Sequence, residues 1–150
     1  MTGRRRGLGA AGLVYAASLV VVIAASAQDA PRRSVRDGAY TTAQAERGER
    51  DYGRQCERCH GADLSGDTSR EVPALAGDHF QEQWSGRTVK ELFDLVKRSM
   101  PGDAPDSLTT RAYDDIVAYV LSANQFASGA QELPRVPERL QEWVIEKVER

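Results

Sequence analysis

Apolar side chains recur at the three- and four-residue spacing of an amphipathic helix in two stretches of the chain. The first stretch begins directly after Thr88. Thr88 and Glu91 have the spacing of a capping box, which marks the start of a helix. It should end before Met100-Pro101, because proline disfavours helical backbone in the residue that precedes it. The second stretch begins near Thr109 or Thr110. The apolar faces of these two predicted helices consist of Val89, Leu92, Phe93 and Val96, and of Tyr113, Ile116, Val117 and Val120.

A third helix is predicted from Thr41 to about Gln55, because Thr41 and Gln44 also have capping-box spacing. Gly48 and Tyr52 are four residues apart and therefore share one face of this helix. The missing side chain of Gly48 lets another helix approach closely, and we predict that the helix starting near Thr109 is that partner. Phe80 and Trp84 have the same spacing and predict a short helical turn.

The remaining segments show no strand pattern, so the predicted fold class is all-α. Residues 28–40 lack a periodic apolar pattern and predict a flexible leader, and residues 61–77 predict a loop. Residues 41–127 form the predicted single domain, which suits the length of the chain. Residues 128–150 are a predicted C-terminal extension. Its apolar positions predict a short amphipathic helix from Glu138 that docks on the domain: Leu140, Trp143, Val144 and Val148.

The only two cysteines of the chain lie in the segment Cys56-Glu57-Arg58-Cys59-His60. Two thiols at this spacing can each form a thioether with a vinyl group of haem, and a histidine directly after the second thiol can ligate the iron. C-x-x-C-H is the attachment signal of c-type haem. The sequence therefore predicts one haem c, attached through Cys56 and Cys59, with His60 as an axial ligand.

Two other kinds of site use a pair of cysteines at this spacing. The redox pair of thioredoxin-like proteins follows a strand of a βαβ unit, whereas the residues before Cys56 are polar and helix-forming. A structural zinc site needs four ligands, and outside this segment only His79 or a carboxylate is available. The sequence favours haem over both alternatives.

Met100 is the predicted second axial ligand. It lies 40 residues after His60, in a loop between two predicted helices, and residues 28–150 contain no other methionine. Thioether ligation opposite a histidine raises the reduction potential, as in electron-carrying cytochromes c. The rival ligand is His79, which would give a bis-histidine iron of lower potential, and a packing role for Met100 is the remaining alternative.

Three further residues are predicted to lie beside the haem. A ligating histidine usually donates its other ring N–H to a carbonyl oxygen, and Pro73 is the candidate for that carbonyl. Leu75 is predicted to pack on the porphyrin. Trp84 is predicted either to pack on the haem edge with its indole N–H towards a propionate, or to be an ordinary core residue.

Residues 1–27 have the composition of a secretory signal peptide. Arg4, Arg5 and Arg6 precede an uncharged run from Gly7 to Ala25, and Ala25-Ser26-Ala27 is a small-x-small cleavage site. The sequence therefore predicts export to the periplasm. The apolar run is nearly long enough to span a bilayer, so an uncleaved segment would anchor the protein in the membrane.

Removal of residues 1–27 would leave 17 basic and 22 acidic residues, a net charge of −5. An acidic surface argues against nucleic acid as a partner. It suits a redox partner protein that presents a positive patch, such as a dehydrogenase, an oxidase or a respiratory complex. A membrane is an expected partner only if residues 1–27 are retained.

Several of these segments occur in the order found in class I monohaem cytochromes c. The chain resembles this family from about residue 40 to residue 127, which implies the cytochrome c fold, with about four helices around one covalently attached haem. The resemblance places His60 and Met100 at the two axial-ligand positions. Two segments, His60-Gly61-Ala62-Asp63-Leu64-Ser65-Gly66 and Ala118-Tyr119-x-x-Ser122-Ala123-Asn124, are similar to cytochromes paired with bacterial quinoprotein dehydrogenases. One departure is Ala74, where many relatives carry asparagine in the proline loop. The segments that carry the resemblance are Gly48/Tyr52, Cys56-Glu57-Arg58-Cys59-His60-Gly61, Pro73-Ala74-Leu75, Met100-Pro101 and Tyr113-x-x-Ile116-Val117-Ala118-Tyr119.

The leading functional prediction is a one-electron carrier, not an enzyme, that passes electrons between a periplasmic dehydrogenase or respiratory complex and its redox partner. A second class is a gas sensor or peroxidase-like enzyme in which Met100 dissociates, and ready binding of carbon monoxide would indicate it. A third class is a membrane-tethered cytochrome subunit of a larger complex. Retention of residues 1–27 in the purified protein would indicate that class.

Overall fold

The computed structural model describes residues 32–147, and across this range the chain forms five α-helices. The all-α prediction is confirmed. The predicted signal segment, 1–27, lies outside the described residues. None of the helices within 32–147 has the length and apolar composition needed to span a bilayer. The helices are α1 (Thr42–Gln55), α2 (Glu57–His60), α3 (Asp78–Trp84), α4 (Val89–Ser99) and α5 (Thr110–Ala123).

Helices α1 and α5 cross in contact at Gly48, as predicted. A Cβ atom built on Gly48 would lie only 1.8 Å from the carbonyl oxygen of Asp115 and 2.9 Å from the Cβ atom of Tyr119. Beside this crossing the rings of Tyr52 and Tyr119 pack with their centroids 5.2 Å apart. The backbone of α5 therefore occupies the space that a side chain at position 48 would need.

The two predicted capping boxes differ in the structure. At α4 both bonds form, because the Thr88 hydroxyl accepts from the Glu91 N–H and the Glu91 carboxylate accepts from the Thr88 N–H. At α1 the Thr41 hydroxyl accepts from the Gln44 N–H, but the side-chain oxygen of Gln44 instead accepts from the Leu133 N–H, at 2.8 Å. Leu133 is buried, and its N–H needs an internal partner, so only half of the predicted box is present.

Residues 32–40, predicted as part of a flexible leader, pack onto the domain. Strand β1 (Arg33–Ser34) pairs in parallel with strand β2 (Trp143–Val144), with Arg33 opposite Trp143. A 3-10 turn follows at Val35–Asp37, and Val35 has no exposed surface. The leader prediction failed here because isolated buried residues in irregular backbone produce no periodic pattern. The expectation of no strand was also wrong, because the described range contains one pair of two-residue strands.

Within the described residues, the predicted amphipathic α-helix from Glu138 is wrong, and Val148 of that prediction lies outside them. The chain forms a 3-10 turn at Pro137–Glu142 and then becomes extended in β2. The N–H and carbonyl of Ile145 bond to Arg87 and Gly86, at 2.8 and 2.7 Å, so the extended backbone finds partners that a helix would have supplied internally. The extension nevertheless docks on its own domain, as expected. Its buried apolar residues are Leu133, Leu140, Trp143 and Ile145.

Candidate functional site

The C-x-x-C-H segment is positioned by the junction between α1 and α2. Cys56 closes α1, its N–H donating to the Tyr52 carbonyl, and its own carbonyl accepts from the N–H of His60. Cys56 and Cys59 are free thiols with intermediate exposure, and His60 is buried. Burial, assisted by the negative charge of Asp51, raises the pKa of the Cys56 thiol to about 11, so this thiol stays protonated at neutral pH.

The His60 ring is held by the loop that follows it. Its Nδ1 atom lies 3.0 Å from the carbonyl oxygen of Pro73, the contact that the sequence analysis expected. A carbonyl oxygen can only accept, so Nδ1 carries the hydrogen and the lone pair of the neutral ring is on Nε2. No residue in the described range hydrogen-bonds to Nε2. This tautomer leaves one nitrogen in the form that ligates metals.

Residues 61–77 form the predicted loop, which is tied back to the helices at several points. The Tyr52 hydroxyl donates to the carbonyl of Gly61 at 2.6 Å. The side-chain amide of Asn124, at the end of α5, donates to the carbonyl of Leu75 and accepts from the N–H of Gly77. Sequence analysis assigned Asn124 no role at the site, because an amide at the end of an apolar helix does not indicate which backbone atoms it will bond. These bonds hold the segment that presents the Pro73 carbonyl.

Gly66 is the point at which this loop comes closest to Pro73. Its φ angle is +71°, and an added Cβ atom would lie 2.4 Å from the Val72 carbonyl oxygen and 2.6 Å from the Pro73 carbonyl oxygen. Gly86 has a similar φ angle of +84°, but a Cβ atom there meets nothing within 4 Å. Alanine substitutions at Gly66 and Gly86 therefore distinguish the cost of backbone strain from the cost of a steric clash.

We expect Gly66→Ala to lower the free energy of unfolding by about 2–4 kcal/mol, because strain and overpacking add. Gly86→Ala carries the strain alone and should cost about 1 kcal/mol. Urea unfolding of both variants measures the difference. Equal losses would show that the backbone beside Pro73 yields to the added methyl group.

Met100 lies directly after α4 and is half-buried. Its N–H donates to the Val96 carbonyl at 2.8 Å, and its own carbonyl accepts from the Tyr113 hydroxyl at 2.8 Å. The loop that it begins reaches the C-x-x-C-H segment, because the Arg58 guanidinium lies 2.8 Å from the Asp103 carboxylate. This ion pair is largely exposed and contributes little stability. It does establish that the Met100 loop and α2 are neighbours.

The other predicted site residues are distributed between core and surface. Leu75 is half-buried and packs against the core. Trp84 is buried beside Phe80, with ring centroids 6.4 Å apart, and the Arg87 guanidinium lies 4.5 Å from its ring. Both alternatives for Trp84, the haem edge and the core, stay predictions. His79 is exposed on α3. Across residues 32–147 no three His, Cys, Asp or Glu side chains converge as a metal site, so the zinc alternative gains no ligand set.

The surface near the end of α1 is not acidic, although net charge predicted an acidic surface. An open cleft of about 270 Å³ between α1 and the start of α5 is lined by four guanidinium groups and two carboxylates. Arg47 is already paired in a bidentate manner with Asp115 and also contacts Glu132. Net charge gives no information on such local clustering. The charged groups that line the cleft are Arg47, Arg50, Arg54, Arg111, Asp51 and Asp115.

The fold and the sequence were compared with those of known proteins. The crystal structure of the sulfane dehydrogenase SoxCD from Paracoccus pantotrophus contains a similar chain, with a TM-score of 0.53 and 22% sequence identity. The match covers 94% of this chain and 68% of that chain, and at this identity it shows a shared fold alone. No curated protein matches the sequence.

The family model described as cytochrome c oxidase, cbb3-type, subunit III, matches residues 43–120, more than half of the chain. The protein therefore belongs to this family of c-type cytochromes, whose members transfer electrons by a c-type haem.

Proposed function

We propose that the protein is a one-electron carrier with a single haem c attached through Cys56 and Cys59 and ligated by His60 and Met100. The hydrogen bond between His60 Nδ1 and the Pro73 carbonyl carries this proposal. It orients the ring and leaves Nε2 without a hydrogen-bond partner among the described residues. Two free thiols on the adjoining turn complete a donor set that fits haem c. When bound, haem c supplies a reversible one-electron couple.

The ties of the Met100 loop support a closed iron site over a sensor or a peroxidase-like enzyme. The Met100 carbonyl accepts from the buried Tyr113 hydroxyl, and the Asp106 N–H in the same loop donates to the Lys97 carbonyl on α4. A methionine on an anchored loop keeps its place in both oxidation states, which favours electron exchange without ligand exchange. In a gas sensor, by contrast, Met100 would have to dissociate from the iron so that the gas could bind.

The proposed partner is a redox protein of the dehydrogenase kind in the periplasm. The likeness in fold to a chain of a sulfane dehydrogenase supports this class of partner. The segment 1–27 supports export, because its charged start, apolar run and small-x-small site are those of a signal peptide. The cleft lined by arginines at the end of α1 adds a surface to which an acidic patch on that partner can be attracted.

The test is the visible spectrum of the exported protein, oxidised and then reduced with dithionite, with a pyridine haemochrome assay. We expect the sharp reduced bands of c-type haem and a weak far-red band from methionine bound to ferric iron. Met100→Ala should abolish the far-red band and leave the haem attached. His79→Ala is the matched control and should leave the band unchanged, because His79 is exposed on α3.

Three results would contradict the proposal. A wild-type ferric protein without the far-red band would exclude methionine ligation. A ferric spectrum without the band that changes in His79→Ala but not in Met100→Ala would assign the second ligand to His79. A colourless protein that binds zinc would exclude haem altogether.

A further inference from the structure

The loop that joins α4 to α5, residues 100–109, is closed by one buried side chain. The Tyr113 hydroxyl donates to the carbonyl of Met100, at 2.8 Å, and is 3.4 Å from the N–H of Leu108, which donates to it. One oxygen atom thus contacts the backbone at both ends of the loop. Tyr113 has no exposed surface, and Met100 and Leu108 are half-buried, so both bonds are partly shielded from water.

The Tyr113 ring is itself fixed by α4. It meets the ring of Phe93 edge-on, with centroids 6.4 Å apart and an interplanar angle of 82°. The Lys97 ammonium group lies 5.3 Å from the Tyr113 ring centroid. Lys97 also reaches the middle of the loop, because its ammonium pairs with the Asp106 carboxylate and its carbonyl accepts from the Asp106 N–H.

These contacts make the loop one unit with the two helices that flank it. The hydroxyl holds the loop ends and Lys97 holds the middle, whereas the exposed pair of Arg58 with Asp103 only shows that the loop lies beside α2. Of these contacts, only the hydroxyl bonds directly to the backbone of Met100. Removing that oxygen would release the Met100 carbonyl while the ring stays packed against Phe93.

We propose that Tyr113 is a positioning residue for Met100, whose hydroxyl holds the methionine backbone in place and so opposes displacement of the thioether by an external ligand. This inference rests on the proposed role of Met100 as an axial ligand. It adds a residue, outside the C-x-x-C-H and methionine motifs, that sets how firmly the second axial position is held.

The test uses the full haem-loaded protein and imidazole as the competing ligand. In the ferric protein, titration with imidazole displaces the methionine and removes the far-red band, so the midpoint measures how firmly Met100 is held. We expect Tyr113→Phe to bind imidazole about tenfold more tightly, the factor that corresponds to loss of one buried hydrogen bond. The starting spectrum should be that of wild type.

Tyr40→Phe is the matched control. The Tyr40 hydroxyl is also buried and donates to a backbone carbonyl, that of Phe126, but this bond joins the N-terminal segment to the end of α5. Tyr40→Phe should lower the stability to urea to an extent similar to Tyr113→Phe and leave the imidazole midpoint unchanged.

The outcomes separate this inference from the proposed function. A wild-type protein that lacks the methionine band contradicts the ligand assignment. A wild-type protein with the band, together with a Tyr113→Phe titration at the wild-type midpoint, overturns only the role of Tyr113. Equal tightening in both tyrosine variants also overturns it, because general destabilisation would then explain the result.

Discussion

Gly48→Ala is expected to lower the free energy of unfolding by about 3 kcal/mol or more, an effect large enough to prevent accumulation of the folded protein. The added methyl carbon would lie 1.8 Å from the carbonyl oxygen of Asp115 and 2.4 Å from its carbonyl carbon. Both atoms belong to the backbone of α5, so no side-chain rotation can relieve the conflict. The helices must separate, and the packing of Tyr52 against Tyr119 is lost with the contact. Urea unfolding of the haem-loaded protein measures the loss.

Gly53→Ala provides a control on the same helix with the opposite expected sign. A Cβ atom at position 53 meets only the flexible carboxylate of Glu57, at 3.4 Å. Replacing an exposed helical glycine with alanine should raise the free energy of unfolding by about 0.5–1 kcal/mol. A Gly48→Ala variant that is as stable as wild type would show that α1 and α5 can separate without cost.

Asp114→Asn is expected to stabilise the protein at pH 8 by about 2 kcal/mol and to have little effect near pH 4.5. Both carboxylate oxygens of Asp114 are buried, and neither has a hydrogen-bond partner among the described residues. Burial, with a smaller contribution from the charge of Asp115, raises the pKa of Asp114 to about 7. The unfolded chain has an ordinary aspartate pKa near 3.8, so between these two values the folded state binds more protons than the unfolded state. Wild-type stability due to this group therefore falls as pH rises from about 4 to 7, and the uncharged amide avoids that loss.

The measurement is urea unfolding of wild type and variant at several pH values, with the difference between them plotted against pH. Asp115→Asn is the control at the next position. Asp115 is as buried as Asp114, but it receives a bidentate pair from Arg47, at 2.8 and 2.9 Å. Its neutralisation should destabilise the protein by about 1–3 kcal/mol at pH 8. A difference curve for Asp114→Asn that is flat between pH 4.5 and pH 8 would contradict the raised pKa.

The helices were predictable because their signals are local. The interval between Thr88 and Pro101 contains a capping box, an apolar face and a proline stop, and α4 occupies the residues between them. The crossing of α1 and α5 followed from Gly48, which shares a face of α1 with Tyr52 and leaves room for another helix. These signals lie within one or two turns of the residues whose structure they determine.

The terminal segments were mispredicted because their signals are not local. Val35 and Ile145 are each buried as single apolar residues in irregular backbone. Beside them Arg33 pairs with Trp143, and Ile145 bonds to Gly86 and Arg87, so the partners of both segments are distant in the chain. Gln44 has the identity and spacing of a capping residue, yet its side chain serves Leu133 across the fold. A sequence pattern cannot show whether the Gln44 side chain will bond to the nearby helix start or to a distant backbone N–H.

The candidate site also contains some residues that local sequence signals predict and others that they do not. The C-x-x-C-H segment and a carbonyl partner for His60 could be predicted, because metal-ligating histidines need a second bond of this type. Asn124, Gly66 and the hydroxyl of Tyr113 could not, because each acts on backbone atoms that only the folded chain brings near. The roles of Cys56, Cys59, His60 and Met100 toward haem stay predictions until the spectra are measured.

The pairing of β1 with β2 has a consequence for the entropy of chain closure. Arg47 and Asp115 join positions 68 residues apart, and Ser34 and Glu146 join positions 112 residues apart. With α1 and α5 already in contact, joining Ser34 to Glu146 closes only the 13 residues before Arg47 and the 31 residues after Asp115, a loop of 44 residues. Loop-closure entropy grows with the logarithm of length, so this loop costs about 0.8 kcal/mol less to close than the 112-residue loop of the free chain. The crossing of the two helices therefore lowers the entropic cost that the two-residue strands must offset to hold the ends together.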